Sequence, residues 1–287
     1  MQLSAMSAAA QTVNVRWFWN RSSSGTAAAA DWGLASDHFL SEDFDNDNRD
    51  DIAVWRPGAA TVAAFYILHS QTNTVRIESF GQTGDDPSVV DDYNGDGRAD
   101  LAIYRDGANS TTNSTWYYRT MPGGAVLFVS WGVGGDFAVP GDFDGNGAAD
   151  FVVQRISGGA GQFWTRLSNG TTQPTVAFGI NDVVVPGDYD GDNKTDIAIV
   201  RAAGNALVWY WRPSGGGAVQ QVTFGLSTDY PANGDYDGDG KTDVAIYRTS
   251  ATPGQSAFWT RSTASGAVST FIFGTGGDYP IATFNTH

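Results

Sequence analysis

One acidic motif recurs five times along the 287 residues, beginning at Asp43, Asp92, Asp142, Asp188 and Asp235. Successive copies lie 49, 50, 46 and 47 residues apart. A fixed period of this size means that one supersecondary unit is stacked repeatedly, each copy burying its apolar face against the next. After every motif comes an apolar segment closing on arginine: DIAVWR, DLAIYR, DFVVQR, DIAIVR and DVAIYR, with Arg56, Arg105, Arg155, Arg201 and Arg248 in register. An aromatic segment follows, as in STWYYR, GQFWTR, LVWYWR and AFWTR. A Gly-, Ser- or Asn-rich turn and a run ending in an aromatic-Gly pair complete the unit.

These alternating, turn-punctuated segments read as short antiparallel strands, four to a unit. Units of 46–50 residues have the size of propeller blades. The aromatic-Gly pairs number six, from Trp32-Gly33 to Phe273-Gly274, against five acidic motifs. The chain therefore starts and stops partway through a unit. LSAMSAA, near the N-terminus, falls where an IAIVR-like strand belongs, and TVNVRWFWNR is the aromatic strand. GDYPIATFNTH follows the pattern of TDYPANGDYDGDG until the carboxylates are due. The expected fold is a single all-β domain over residues 1–287, a six-bladed propeller closed by one C-terminal strand joining three N-terminal ones. Such closure leaves no open sheet edge. Five blades plus an N-terminal extension, or an open solenoid, are the alternatives.

In the acidic motif, position 1 is Asp43, Asp92, Asp142, Asp188 or Asp235, and position 3 is Asp45, Asn94, Asp144, Asp190 or Asp237. Position 5 is Asp47, Asp96, Asn146, Asp192 or Asp239, and position 9 is Asp51, Asp100, Asp150, Asp196 or Asp243. Every departure from Asp is to Asn, which keeps an oxygen donor of the same length while relaxing the charge. That is the substitution pattern of a hard-cation site. Ca²⁺ takes six to eight oxygens in a flexible shell, often including one backbone carbonyl. The variable position 7 (Arg49, Arg98, Ala148, Lys194, Lys241) suits the carbonyl role. Position 6 is always Gly or Asn, the residues that tolerate positive φ. Position 12 is Val54, Ile103, Val153, Ile199 or Ile246, inside an apolar strand, so an EF-hand with its bidentate Glu is excluded. About five Ca²⁺ sites are expected, and they would bring the formal charge from −15 to −5.

These residues resemble the FG-GAP/VCBS repeat family, whose metal-bearing members include integrin α-subunit propellers. The resemblance covers about residues 13 to 284. It implies Ca²⁺ held by the twenty side chains named above, between the first two strands of each blade. Integrin-type propellers have seven blades, whereas six units are counted here.

The charge of −15 argues against binding nucleic acid through counterion release. No apolar run approaches a membrane span. The absence of cysteine removes disulfides, thiolate sites and thiol nucleophiles. MQLSAMSAAAQ lacks the basic start and long apolar core of a signal peptide, so an ordered strand is the expectation there. His38, His69 and His287 occupy unrelated places in the repeat and are expected in surface or structural roles. An aspartate recurs upstream of each motif: Asp37, Asp86, Asp136, Asp182 and Asp229, with Asp278 in the last unit. These aspartates read as blade-to-blade hydrogen-bonding groups, and the recurring arginines as their partners or as donors to backbone carbonyls.

No unique departure from the repeat marks a catalytic site. The expected function is a non-enzymatic, calcium-binding recognition or adhesion module acting outside the cell or at its surface. Its ligand would be a glycan or a protein, met by variable loops such as RDGANSTTNST and RTSATPGQS or by aromatic platforms. A structural or assembly subunit is the alternative, and a polysaccharide-active enzyme the third reading. The sequence leaves the ligand and the oligomeric state open.

Overall fold

The computed structural model describes residues 14–20 and 25–281. Five four-stranded antiparallel sheets follow one another along the chain, each in simple sequence order from first to fourth strand. Blade 1 comprises His38–Glu42, Asp51–Arg56, Ala64–Leu68 and Val75–Ser79. Blade 2 is built from Asp85–Asp86, Leu101–Arg105, Asn113–Arg119 and Val126–Val133. Phe137–Ala138, Phe151–Ser157, Ala160–Arg166 and Val176–Ala177 form blade 3. Blade 4 has Val183–Val184, Ile197–Ala203, Ala206–Arg212 and Gln220–Leu226. Blade 5 ends the series with Tyr230–Pro231, Val244–Arg248, Ala257–Arg261 and Val268–Ile272. Ahead of blade 1, Asn14–Asn20 and Ala27–Leu34 form a two-stranded sheet.

The second strands read as continuous apolar runs because a neighbouring blade covers each face. Side chains alternate across a strand, so Leu101 and Ile103 pack into blade 1 with Trp55, Phe65 and Phe80. Ala102 and Tyr104 turn the other way and meet Phe151 and Val153 of blade 3. Similar clusters join blades 3 and 4 through Val152 and Ile199, and blades 4 and 5 through Val200 and Ile246. On the open side of blade 1, Ile52 and Val54 pack with Trp17 of the N-terminal sheet and with Ile281 near the other end of the chain. Tyr279 also lies 6.1 Å from the Phe39 ring. Residues near both ends of the described chain therefore pack against blade 1.

Five complete blades stand where the repeat count leads one to expect six, so five blades plus an N-terminal extension describes these residues. Tyr230–Pro231 pairs with Ile246 and Tyr247 to open blade 5. The matching Tyr279 and Pro280 join no strand. The segment assigned to one strand of a sixth blade, residues 3–9, and the end of the C-terminal stretch, residues 282–287, lie outside the described residues.

The aromatic-Gly pairs mark where one blade meets the next. Gly33, Gly81, Gly132, Gly179, Gly225 and Gly274 all have φ between +75° and +98°. A Cβ at Gly179 would sit 2.7 Å from Ile199 Cδ1, and one at Gly225 would sit 3.0 Å from Ile246 Cγ2. Gly225→Ala should therefore cost about 2–4 kcal/mol, combining left-handed backbone strain with overpacking of the blade contact. Gly158→Ala, at φ +60° with open space around it, should show the backbone cost alone. Urea unfolding of both variants measures the difference, and equal losses would refute the blade-contact role.

Candidate metal centres

Each acidic motif connects the first strand of a blade to the second. Two residues per loop have positive φ. Position 6 behaves as expected: Asn48, Gly97, Gly147, Asn193 and Gly240 lie between +61° and +86°. Position 4 does the same with Asn46, Gly95, Gly145, Gly191 and Gly238, between +63° and +81°. These left-handed residues wind the backbone N–H groups around the position-1 carboxylate. Asp43 Oδ1 accepts from the N–H groups of Asp45, Asn46 and Asp47, and its Oδ2 accepts from Asn48. Asp92 repeats this fourfold set, and Asp142, Asp188 and Asp235 each accept three such bonds.

Position 9 opens the second strand and is buried: Asp51, Asp100, Asp150, Asp196 and Asp243 are at most 1% exposed. One carboxylate oxygen accepts the N–H of position 2, as from Tyr189 to Asp196 at 3.0 Å. The other accepts an N–H just beyond the third strand, as from Ser214 to Asp196 at 2.6 Å. Burial, reinforced by neighbouring carboxylates and only partly offset by these bonds, pushes Asp100, Asp150 and Asp196 up to about 7. Asp51 and Asp243 are raised for the same first cause.

The side chains at these positions converge. Carboxylate oxygens of positions 1, 3 and 9 lie within 4.8 Å of one another in loops 3 and 4, as do those of positions 1, 3 and 5 in loops 1 and 5. In loop 2, Asn94 occupies position 3 and its amide donates to Asp96 at 3.0 Å. Asn146 in loop 3 instead donates to Ser168 Oγ. A cation fits this donor chemistry. Asp45 Oδ1 and both Asp47 oxygens are buried without a hydrogen-bond partner among the described residues, which is costly unless something positive is shared with them.

The loops are also locked to one another. The position-8 N–H of loops 2 to 5 donates to the position-1 carbonyl of the loop before it. Ala99 bonds Asp43, Ala149 bonds Asp92, Thr195 bonds Asp142 and Thr242 bonds Asp188, at 2.6–2.8 Å. Lys241 adds an Nζ bond to the Asp190 carbonyl at 2.6 Å. Five acidic loops thus form one hydrogen-bonded arc on a single face.

The opposite face carries the arginines. Each forms a two-point ion pair with an upstream aspartate: Arg56 with Asp37, Arg105 with Asp85, Arg155 with Asp136, Arg201 with Asp182 and Arg248 with Asp229. The second pair corrects the sequence assignment of Asp86. That connection has one extra residue before the motif, so the aspartate must be counted forward from Gly81. The pairs tie each blade's entry segment to its own second strand, and do not bridge two blades. Every guanidinium also stacks on an aromatic ring of the third strand, from 4.5 Å at Tyr66 to 5.6 Å at Tyr210. The preceding aromatic points inward: Phe65, Trp116, Phe163 and Trp209 are at most 1% exposed.

Sequence reasoning missed one functional candidate. His69 is buried, with Nδ1 2.8 Å from Asp51 and 3.3 Å from Asp45 in loop 1. Its distance in sequence from position 9 varies among the repeats, which hid its proximity. Of the other histidines, His38 packs edge-on against Trp55, and His287 lies outside the described residues.

Residues 188–246 match the FG-GAP-like repeat family, so this stretch, holding loops 4 and 5, carries an FG-GAP-like repeat. No curated protein matches the chain in sequence. Among solved structures, a triple arginine-to-alanine mutant of AofleA from Arthrobotrys oligospora aligns with a TM-score of 0.55 at 12% identity. That alignment covers 91% of this chain and 80% of that one, and it supports the propeller fold alone. The V. cholerae biofilm matrix protein Bap1 is also matched at 12% identity over 91% of this chain and 56% of its own, with a TM-score of 0.18.

Proposed function

We propose that this protein is a calcium-loaded, non-enzymatic propeller that recognises a glycan or a protein outside the cytoplasm. The observation that carries it is the arc of five interlocked acidic loops, in four of which short carboxylates converge. Positions 1, 3, 5 and 9 supply side-chain oxygens, and the carbonyls of Arg49, Arg98, Ala148, Lys194 and Lys241 complete the shells. Sites of this kind need free Ca²⁺ at levels found outside the cytoplasm. Among the described residues, no helix is long and apolar enough to cross a membrane.

The cations brace one face and leave the other for recognition. The loops joining second to third strands lie at the opposite end of each blade from the metals, and they vary in length while the frame stays constant. Exposed residues 108–112 and 251–255 belong to two of these loops. Beside them stand the half-buried, arginine-stacked rings of Tyr66, Tyr117, Trp164, Tyr210 and Trp259, whose exposed parts suit sugar faces.

Isothermal calorimetry with Ca²⁺, followed by a glycan array in saturating Ca²⁺, tests this reading. About five equivalents and selective glycan retention are expected, with protein capture as the second arm. Absence of Ca²⁺ binding, or turnover of a polysaccharide panel, would overturn it. An assembly subunit is favoured by one observation: the fourth strands expose Ile77, Phe128, Phe271 and Ile272. Light scattering that finds an oligomer would move the function to that reading.

A further inference from the structure

Loop 1 differs from the other four. Where His69 stands, just ahead of the N–H that caps position 9, the other repeats have Thr120, Leu167, Pro213 and Ser262. None of these offers a nitrogen with a lone pair free to bind a metal. The His69 side chain is only 10% exposed, and its Nδ1 faces both Asp51 and Asp45. Asp45, Asp51 and His69 bring their ligand atoms within 4.8 Å of one another.

A second observation points to an ion. All the buried carboxylate oxygens left without a partner among the described residues belong to this loop: Asp45 Oδ1 and both oxygens of Asp47. Ser70 Oγ beside them is buried and partnerless as well. In loops 3 and 4 the equivalent hydroxyls are used. Ser168 accepts from Asn146, and Ser214 donates to Asp192. If His69 served only as a hydrogen-bond donor to Asp51, Asp45 Oδ1 and Ser70 Oγ would stay without a partner among the described residues.

We infer that loop 1 is a mixed nitrogen–oxygen site for a divalent transition-metal ion, with His69, Asp45 and Asp51 as ligands and Asp47 completing the set. Imidazole suits Zn²⁺ and its neighbours in the first transition row, whereas Ca²⁺ takes oxygen alone. Loops 2 to 5 have only oxygen donors and no such preference. The inference rests on reading the loops as cation sites, and it divides them into two chemical classes.

Co²⁺ is the probe, added to protein saturated with Ca²⁺. One equivalent should bind in the presence of excess Ca²⁺, and of the three histidine ring signals only that of His69, assigned through the backbone, should show the paramagnetic shift. Zn²⁺ should displace the Co²⁺. His69→Ala should weaken Zn²⁺ binding at least tenfold while leaving Ca²⁺ uptake at loops 2 to 5 unchanged, which also reports that the propeller is intact. No retained Co²⁺, or a His69 ring left unshifted, overturns the inference without needing the variant. Co²⁺ contact at His69 with no Ca²⁺ bound anywhere would leave this site standing and refute the calcium reading. Four or five Ca²⁺ without Co²⁺ contact would do the reverse.

Discussion

Stripping divalent cations with a chelator at pH 7.5 should lower the melting temperature by roughly 20 °C or more. A ligand held at 100 times its Kd adds about 2.7 kcal/mol per site, so five such sites exceed about 10 kcal/mol. For a chain of this size each kcal/mol is worth about 2–4 °C. The loss should depend on pH in a particular direction. Burial pushes Asp100, Asp150 and Asp196 up to about 7 in the metal-free fold, against about 3.9 in an unfolded chain. Between those values the folded state binds more protons than the unfolded one, so metal-free stability falls as pH rises from about 4 to about 7. The loaded protein behaves oppositely, because protons compete with the cation for the same oxygens. The two melting curves should therefore converge toward pH 5 and separate toward pH 7.5. A chelator without effect at pH 7.5 would refute the metal-centre assignment, and metal-free stability that climbs with pH over this range would refute the raised carboxyls. The bonds from each loop to the one before it further imply that the cations bind cooperatively around the arc.

Much of this architecture could be read from the residues because the repeat supplied its own comparison. The Asp-or-Asn rule at positions 3 and 5 marked the loops, and apolar runs such as DIAVWR marked strands buried on both faces. What escaped was set by spacing in three dimensions. Asp85, not Asp86, faces Arg105 because one extra residue separates it from the acidic motif, which shifts any register taken backward from Asp92. His69 comes close to Asp51 only through the return of the third strand, and its offset differs from repeat to repeat. The left-handed role of position 4 was legible in Gly95, Gly145, Gly191 and Gly238, since it matches position 6 in residue type. A sixth blade follows from the tally of hairpins alone, and the pairing of its remaining strands falls on residues beyond those described.

Removing one carboxylate of the arginine face should cost about as much stability as emptying one or two loops. Asp136 has a side chain 1% exposed, and it accepts Arg155 Nε and Nη2 at 2.7 Å each and Val133 N–H at 2.8 Å. Asp136→Ala leaves Arg155 part-buried above Trp164 without its anion. Breaking one partner of such a pair costs about 3–5 kcal/mol, or roughly 6–20 °C in melting temperature. Replacing both residues, as Asp136→Ala with Arg155→Met, should recover part of that loss, because no orphaned charge remains and the methionine still covers the indole. Asp278 is the internal control. It accepts Thr275 N–H at 2.8 Å, but no arginine faces it among the described residues. Its Ala variant should cost only about 1 kcal/mol. Equal shifts for Asp136→Ala and Asp278→Ala in thermal unfolding would show that the guanidinium pairs are replaceable by solvent. A larger shift for Asp136, partly reversed in the double variant, would show that the arginine face holds each blade's entry segment to its second strand, independently of the cations opposite.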